Sequence, residues 1–162
     1  MRQALALPSG SIILDLAAGR GRHAVPLAAA GRRVIAVDIA EPAIVAARRA
    51  GGALDGVVAD VTALPFREGA ADAVLCVSFL DRSLVAHIRR VLRRGGRLII
   101  ETFTRAQLSL NRGPRDPAFL LEPGELRSLV TPLRVIESRE GLVHDAAGER
   151  YVASVVAVNG AG

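Results

Sequence analysis

Ile12-Ile13-Leu14-Asp15-Leu16-Ala17-Ala18-Gly19-Arg20-Gly21-Arg22 is the stretch that decides the fold. An apolar run from Ile12 to Ala17 reads as a buried strand. Gly19 and Gly21 mark a tight turn, because glycine reaches positive φ at little cost and lets backbone approach a ligand. A helical stretch then runs to about Ala30, with Gly31 as its stop. Strand, glycine turn and helix in that order predict the first half of a βαβ unit.

The pattern repeats outward from there. Val34 to Asp38 is a second buried strand, and Glu41-Pro42 opens a helix that continues through Arg49 to Gly51-Gly52, with acid and proline both suited to a first helical turn. Val57 to Asp60 predicts a third strand and Ala73 to Ser78 a fourth. From Arg82 to Arg93 the residues Leu84, Val85, Ile88, Val91 and Leu92 recur at helical spacing, with arginines on the opposite face. Gly95-Gly96 is expected to end that helix and lead into a fifth strand, Arg97 to Phe103.

A long loop containing Asn111 to Pro117 follows, and loops beyond about 12–15 residues tend to be functional. After a short helix, Pro123 to Val130, come two β runs, Leu133 to Val143 and Glu149 to Asn159. Asp145-Ala146-Ala147-Gly148 between them is a hairpin signal, so the last strand is expected to be antiparallel. The expectation is one α/β domain over residues 1–162: a Rossmann-like, seven-stranded sheet of five parallel strands plus a C-terminal antiparallel hairpin.

Composition narrows the function. Hydrophobic residues make up 51% of the 162 and charged residues 23%, which supports a substantial core rather than disorder. Aromatics are 3%, few platforms on which nucleic-acid bases could stack. All basic side chains are Arg, and the formal charge of +5 reads as genome composition more readily than as phosphate recognition. Nucleic acid is therefore not the expected partner, and an RNA-directed activity through the arginine helix is the weakest reading. Cys76 alone cannot form an internal disulfide, no Cys/His spacing suggests a metal, and no apolar run suits a leader or a membrane span. A cytoplasmic location is expected.

Ligands of open parallel sheets bind beyond the carboxyl ends of the strands, at the switch in strand order. Asp38 lies nineteen positions beyond Gly19, the spacing of a nucleotide-binding unit, where a carboxylate can accept from both ribose hydroxyls. Asp60 ends the third strand and can accept from an exocyclic adenine amine; it also suits a turn cap. Gly19-x-Gly21-x-x-Ala24 satisfies a relaxed dinucleotide fingerprint as well. Asp15 argues against that reading, because a carboxylate beside the turn repels a pyrophosphate but attracts ammonium and sulfonium charge.

On these residues the chain resembles class I S-adenosylmethionine-dependent methyltransferases over nearly its whole length. Ile-Leu-Asp-Leu-Ala-Ala-Gly-Arg-Gly-Arg-His is similar to the family's first motif, Val-Ile-Ala-Val-Asp to its second strand, and Leu-Arg-Arg-Gly-Gly-Arg-Leu-Ile-Ile-Glu to its entry into strand five. Phe79 to Leu84, Glu101-Thr102-Phe103 and Asn111 to Leu126 are similar to small bacterial TehB-like methyltransferases. Ala17 stands where the family's first glycine often lies.

The resemblance implies S-adenosylmethionine as cofactor, with Asp15, Ala17 and Gly19 at its methionine end, beside Gly21. Asp38 would hold the ribose, Ile39 would pack on the adenine, Asp60 and Val61 would bind its edge, and Ser78 would lie near the amino group. Phe79, Asp81, Arg82, Glu101 and Thr102, with the Asn111 to Asp116 loop, are the expected acceptor side, and the acceptor a small molecule or oxyanion. No catalytic residue is assigned. His23 is the histidine placed near the donor, His87 and His144 read as structural or surface residues, and Cys76 as a small core residue. About eleven residues precede the first strand, where relatives carry a helical segment over the donor. That supports an alternative expectation, a non-catalytic donor-binding or interaction module that pairs with another chain, including a second copy of itself.

Overall fold

A computed structural model of the chain describes residues 4, 6–8, 10–51, 54–145 and 148–160. The elements are β1 (Ile12–Leu16), α1 (Ala24–Ala29), β2 (Arg33–Asp38), α2 (Glu41–Gly51), β3 (Asp55–Val58), β4 (Ala71–Val77), α3 (Leu84–Val91), β5 (Leu92–Phe103), α4 (Glu125–Leu129), β6 (Arg134–Asp145) and β7 (Gly148–Val158). Gly52, expected at the end of α2, and Ala146 and Ala147, expected in the last hairpin turn, lie outside the described residues.

The strands form one sheet in the order β3-β2-β1-β4-β5-β7-β6. Pairing is parallel from β3 to β5, and β7 runs antiparallel to both β5 and β6. The expected topology is present, and the hairpin folds back so that its second strand, not its first, lies against β5. Sequence separates the order because β7 is the more apolar strand: Val152, Ala153, Val155, Val156 and Ala157 are buried, whereas β6 is exposed along most of its length.

Side-chain alternation divides the core between the two faces of the sheet. Leu14, Leu16, Val74, Cys76, Leu98 and Ile100 pack on one face with α3, whose Leu84, Val85, Ile88 and Val91 are buried. Ile13, Ala36, Ala73, Leu75 and Ile99 point to the other face, where Ala24 and Leu27 of α1 and Ile44 and Ala47 of α2 cover β1 and β2. Each fully buried Leu or Ile side chain contributes roughly 1.5–3 kcal/mol.

Two local expectations are corrected. Gly95-Gly96 does not terminate α3: the helix ends at Val91, and Leu92 already pairs with Ala71. The register then jumps to Ala73↔Arg97, so the two glycines sit in a bulge of β5. A Cβ at Gly96 would meet the Arg93 carbonyl oxygen at 2.8 Å, and Gly95 has φ +74° with its N–H donating to the Asn159 oxygen at 2.7 Å. Asn159 holds the bulge from the other side, its Nδ2 donating to the Leu92 oxygen at 2.8 Å.

The segment after β5 is not an open loop either. It contains 3-10 turns at Arg105–Leu110 and Pro117–Phe119. Gln107, 1% exposed, organises it: its Nε2 donates to the Arg112 oxygen at 2.9 Å and its Oε1 accepts from the Tyr151 N–H at 2.8 Å. A lone glutamine in a polar stretch gives no sign of that role in sequence. Among the described residues no helix is long and apolar enough to cross a membrane.

Candidate functional site

The loops after β1, β2, β3 and β4 close around a cavity of about 400 Å3 lined by Ala17, Asp38, Ile39, Asp60, Val61 and Ser78, with Phe79 at its edge. Such a volume falls in the range of small-molecule sites, about 300–1,000 Å3. Six residues read from the sequence as a nucleoside site thus share one cavity. Two of its residues, Ala17 and Ser78, hold φ of +53° and +60°, conformations that side-chain-bearing residues rarely adopt and that cluster at ligand sites.

Asp38 locks the entrance. Its Oδ2 accepts from the Gly19 N–H and its Oδ1 from the Ala40 N–H, at 2.8 and 2.9 Å. The Ala18 N–H donates to the Val37 oxygen at 3.1 Å, so the loop after β1 is tied to the end of β2. Asp60 lies beyond the end of β3 and caps the turn that follows, its Oδ1 accepting from both the N–H and the Oγ1 of Thr62 at 2.8 Å. These hydrogen bonds hold its carboxyl below the usual range. Asp60 thus caps the turn, the bland sequence reading, and also lines the cavity. Ser78 donates its N–H to the Glu101 oxygen at 2.8 Å, and its Oγ accepts from Arg22 at 3.3 Å.

Asp15, Gly19 and Gly21 do not line this cavity. Alternation along β1 turns Asp15 away from Leu14 and Leu16, toward the face carrying α1, where it is 2% exposed. Burial raises its carboxyl to about 7, against a hydrogen bond from the Ala24 backbone and the Arg22 charge, with nearby Asp38 adding to the rise. Its Oδ2 has no hydrogen-bond partner among the described residues. Convergence of the three acids on one wall therefore holds for Asp38 and Asp60, whereas Asp15 stands behind the glycine turn.

The two glycines separate as well. At Gly19 (φ +54°) a Cβ would meet nothing within 4 Å. At Gly21 (φ +81°) it would meet Val25 Cγ2 at 2.9 Å and Ala47 Cβ at 3.0 Å, so that glycine allows α1 and α2 to pack closely.

A second cavity, about 180 Å3, shares Ser78 and Phe79 with the first and is completed by Leu80, Thr102, Phe103, Pro114 and Phe119. Three of the four phenylalanines in the chain stand on it. Of the expected acceptor-side residues it takes Phe79, Thr102 and part of the 111–116 loop. It does not take Asp81, Arg82 or Glu101. Asp81 caps α3, its Oδ1 accepting from the Ser83 N–H at 2.8 Å and Oγ at 2.6 Å. Arg82 pairs with Glu125 (2.5 Å) and donates to the carbonyls of Ala118 and Leu120, which pins the turn bearing Phe119. Glu101 faces the opposite side of the sheet and pairs with Arg150 at 3.3 Å. Leu80, Phe103 and Phe119 are the lining residues that sequence reading did not place on the acceptor side, because only the fold brings residues 79, 103 and 119 together.

Of the remaining candidates, Cys76 is fully buried, and burial with the nearby Asp15 charge pushes its thiol up to about 12. His144 lies 3.3 Å from Glu149 on the exposed hairpin. No group of His, Cys, Asp and Glu that could hold a metal occurs among the described residues.

The family model for the methyltransferase domain matches residues 14–100, more than half of the chain and the whole span that builds the larger cavity wall. The chain belongs to this family, the class I S-adenosylmethionine-dependent methyltransferases. S-adenosylmethionine is the cofactor of this methyltransferase domain. Among similar proteins, the demethylmenaquinone methyltransferase of Clavibacter sepedonicus is 40% identical over 123 residues, 70% of this chain and 50% of that protein. The chain spans about half the length of the curated relatives it matches. In fold, an S-adenosylmethionine-dependent methyltransferase of Methanosarcina mazei superposes with a TM-score of 0.81 at 21% identity, over 96% of this chain and 95% of that one. TehB of Haemophilus influenzae superposes with a TM-score of 0.75 at 20% identity, over 97% of this methyltransferase-domain chain and 60% of TehB.

Proposed function

We propose that this methyltransferase domain binds S-adenosylmethionine in the 400 Å3 cavity and methylates a small-molecule acceptor held in the adjoining phenylalanine-lined cavity. One observation carries the reading: Asp38, Asp60 and Ser78 stand on a single cavity that shares Ser78 and Phe79 with a second one bordered by three phenylalanines.

The residues suit the donor. The oxygens of Asp38 keep lone pairs beyond those used by Gly19 and Ala40, enough for two ribose hydroxyls. Ile39, 71% exposed, offers an apolar face to the adenine, with Asp60 and Val61 at its edge. Ala17 and the open space over Gly19 leave room for the methionine end, and Ser78 lies on the amino-group side. The unpartnered Oδ2 of Asp15 behind them attracts the ammonium and sulfonium charges.

The bound donor supplies an activated methyl group together with its own leaving group. What remains for the protein is alignment and exclusion of water. Phe79, Phe103 and Phe119 give the acceptor an apolar wall, which favours an uncharged ring or chain over an oxyanion. A cytoplasmic setting agrees with the single, buried thiol of Cys76.

Calorimetry of S-adenosylmethionine binding is the first test. Release of S-adenosylhomocysteine across a panel that includes demethylmenaquinone, simple phenols and tellurite is the second. Absence of donor binding by folded protein would refute the proposal at its base; donor binding with no release across the panel would replace the enzyme by a donor-binding module.

A further inference from the structure

The charged side chains that line the 400 Å3 cavity, Asp38 and Asp60, are both acids. The glycine turn brings a cation to the same wall. Arg22 follows Gly21 directly, and its Nη2 donates to the Ser78 Oγ at 3.3 Å, so the bond spans from the loop after β1 to the end of β4. Ser78 belongs to the cavity wall. The bond occupies one N–H of an exposed guanidinium, and the remaining donors form no ion pair among the described residues. Arg20, the other arginine of the turn, is exposed too but makes no hydrogen bond to a residue of that wall.

The charge of Arg22 is also felt inside the turn. Burial raises the Asp15 carboxyl to about 7, and the Ala24 backbone hydrogen bond and the Arg22 guanidinium pull against that rise. A carboxyl behind the turn and a guanidinium beside the cavity wall offer opposite charges to the opposite groups of the donor's methionine end. Asp15 attracts the ammonium and the sulfonium. The α-carboxylate is the donor's one anion, and without Arg22 the charged side chains nearest to it would be Asp38 and Asp60, which repel it.

We infer that Arg22 recognises the α-carboxylate of S-adenosylmethionine, its remaining N–H groups donating to the carboxylate oxygens while Nη2 stays on Ser78. A guanidinium presents a planar fork that matches a carboxylate in a two-pronged, charge-assisted contact. The Ser78 oxygen accepts from Arg22, so its hydroxyl hydrogen can donate to the same carboxylate. Arg22 thus sets specificity for the amino-acid end of the donor, whereas Asp38, Ile39, Asp60 and Val61 serve the nucleoside end. The inference rests on the donor reading of that cavity.

The test is calorimetry on the full chain with three ligands: S-adenosylmethionine, its decarboxylated form, which keeps the sulfonium and the ammonium, and methylthioadenosine, which keeps only the nucleoside. The wild type is expected to bind S-adenosylmethionine at least tenfold more tightly than the decarboxylated form. Arg22→Met is expected to lose about 10- to 100-fold for S-adenosylmethionine, the range of a charge-assisted hydrogen bond, and less than twofold for the other two. An unchanged affinity for methylthioadenosine then shows that the nucleoside site is still folded. Arg22→Lys keeps the charge without the fork, should fall between wild type and Arg22→Met, and decides the matter if Arg22→Met does not fold. Arg20→Met should leave all three affinities within twofold. Equal wild-type affinity for S-adenosylmethionine and its decarboxylated form, an equal loss of all three ligands in Arg22→Met, as a mere brace of Ser78 would give, or the selective loss appearing in Arg20→Met would each overturn the inference with the donor reading intact. Failure of all three ligands to bind the wild type would overturn both.

Discussion

The Gly19 amide donates to Asp38 Oδ2 at 2.8 Å, and this bond closes the β1 turn onto the end of β2. One carboxylate therefore both shapes the loop after β1 and faces the cavity proposed for the donor. Asp38→Ala is expected to weaken S-adenosylmethionine by about 10- to 100-fold, the loss of charged hydrogen bonds worth roughly 1.5–3 kcal/mol. Calorimetry against the wild type checks this, and an unchanged affinity would remove Asp38 from the site.

Gly19 and Gly21 are expected to fail in different ways. Gly21→Ala forces a Cβ to 2.9 Å from Val25 and should cost about 1–3 kcal/mol of stability, read as a lower urea midpoint. Gly19→Ala meets open space and should cost only the positive-φ strain of about 1–2 kcal/mol, yet reduce donor affinity more strongly. The reverse pattern would show that Gly21, not Gly19, faces the donor.

Asp15 sets a pH dependence whose sign follows from burial. Its folded carboxyl sits near 7 against an ordinary 3.8, so its contribution to stability is full below about 3.8, falls as pH rises toward 7, and is flat above. Asp15→Asn should remove that slope. Donor cations lower the carboxyl again, so at pH 6 donor binding by the wild type should release protons, seen as a dependence of binding heat on buffer ionisation. Asp15→Asn should bind without that release.

Arg82 is expected to act on the acceptor side from a distance. Arg82→Lys keeps the charge but loses the two-pronged contact with Glu125 and the carbonyl bonds to Ala118 and Leu120. Because the pair is partly exposed, only about 1 kcal/mol of stability should go. The looser Phe119 turn should raise acceptor KM more than it lowers kcat, and steady-state kinetics on whichever acceptor turns over would show it.

Much of this protein was legible before any coordinates. Apolar runs, helix-spaced apolar faces and the glycine turn are local signals, and they marked the seven strands, the principal helices and the strand ends that line the 400 Å3 cavity. Ala17, Asp38, Ile39, Asp60, Val61 and Ser78 could be named because parallel α/β topology delivers strand ends to one edge of the sheet. Tertiary structure alone decided the rest. It turned Gly95-Gly96 into a bulge, since Leu92 had Ala71 to pair with; it placed the more apolar β7 inside β6; and it spent Arg82 on Glu125, 43 positions away. It also gathered Phe79, Phe103 and Phe119 around one cavity. A side chain's own sequence neighbourhood encodes its secondary structure, but the partner that satisfies a buried charge or fills a cavity comes from chain distant in sequence, and only the packed core brings the two together.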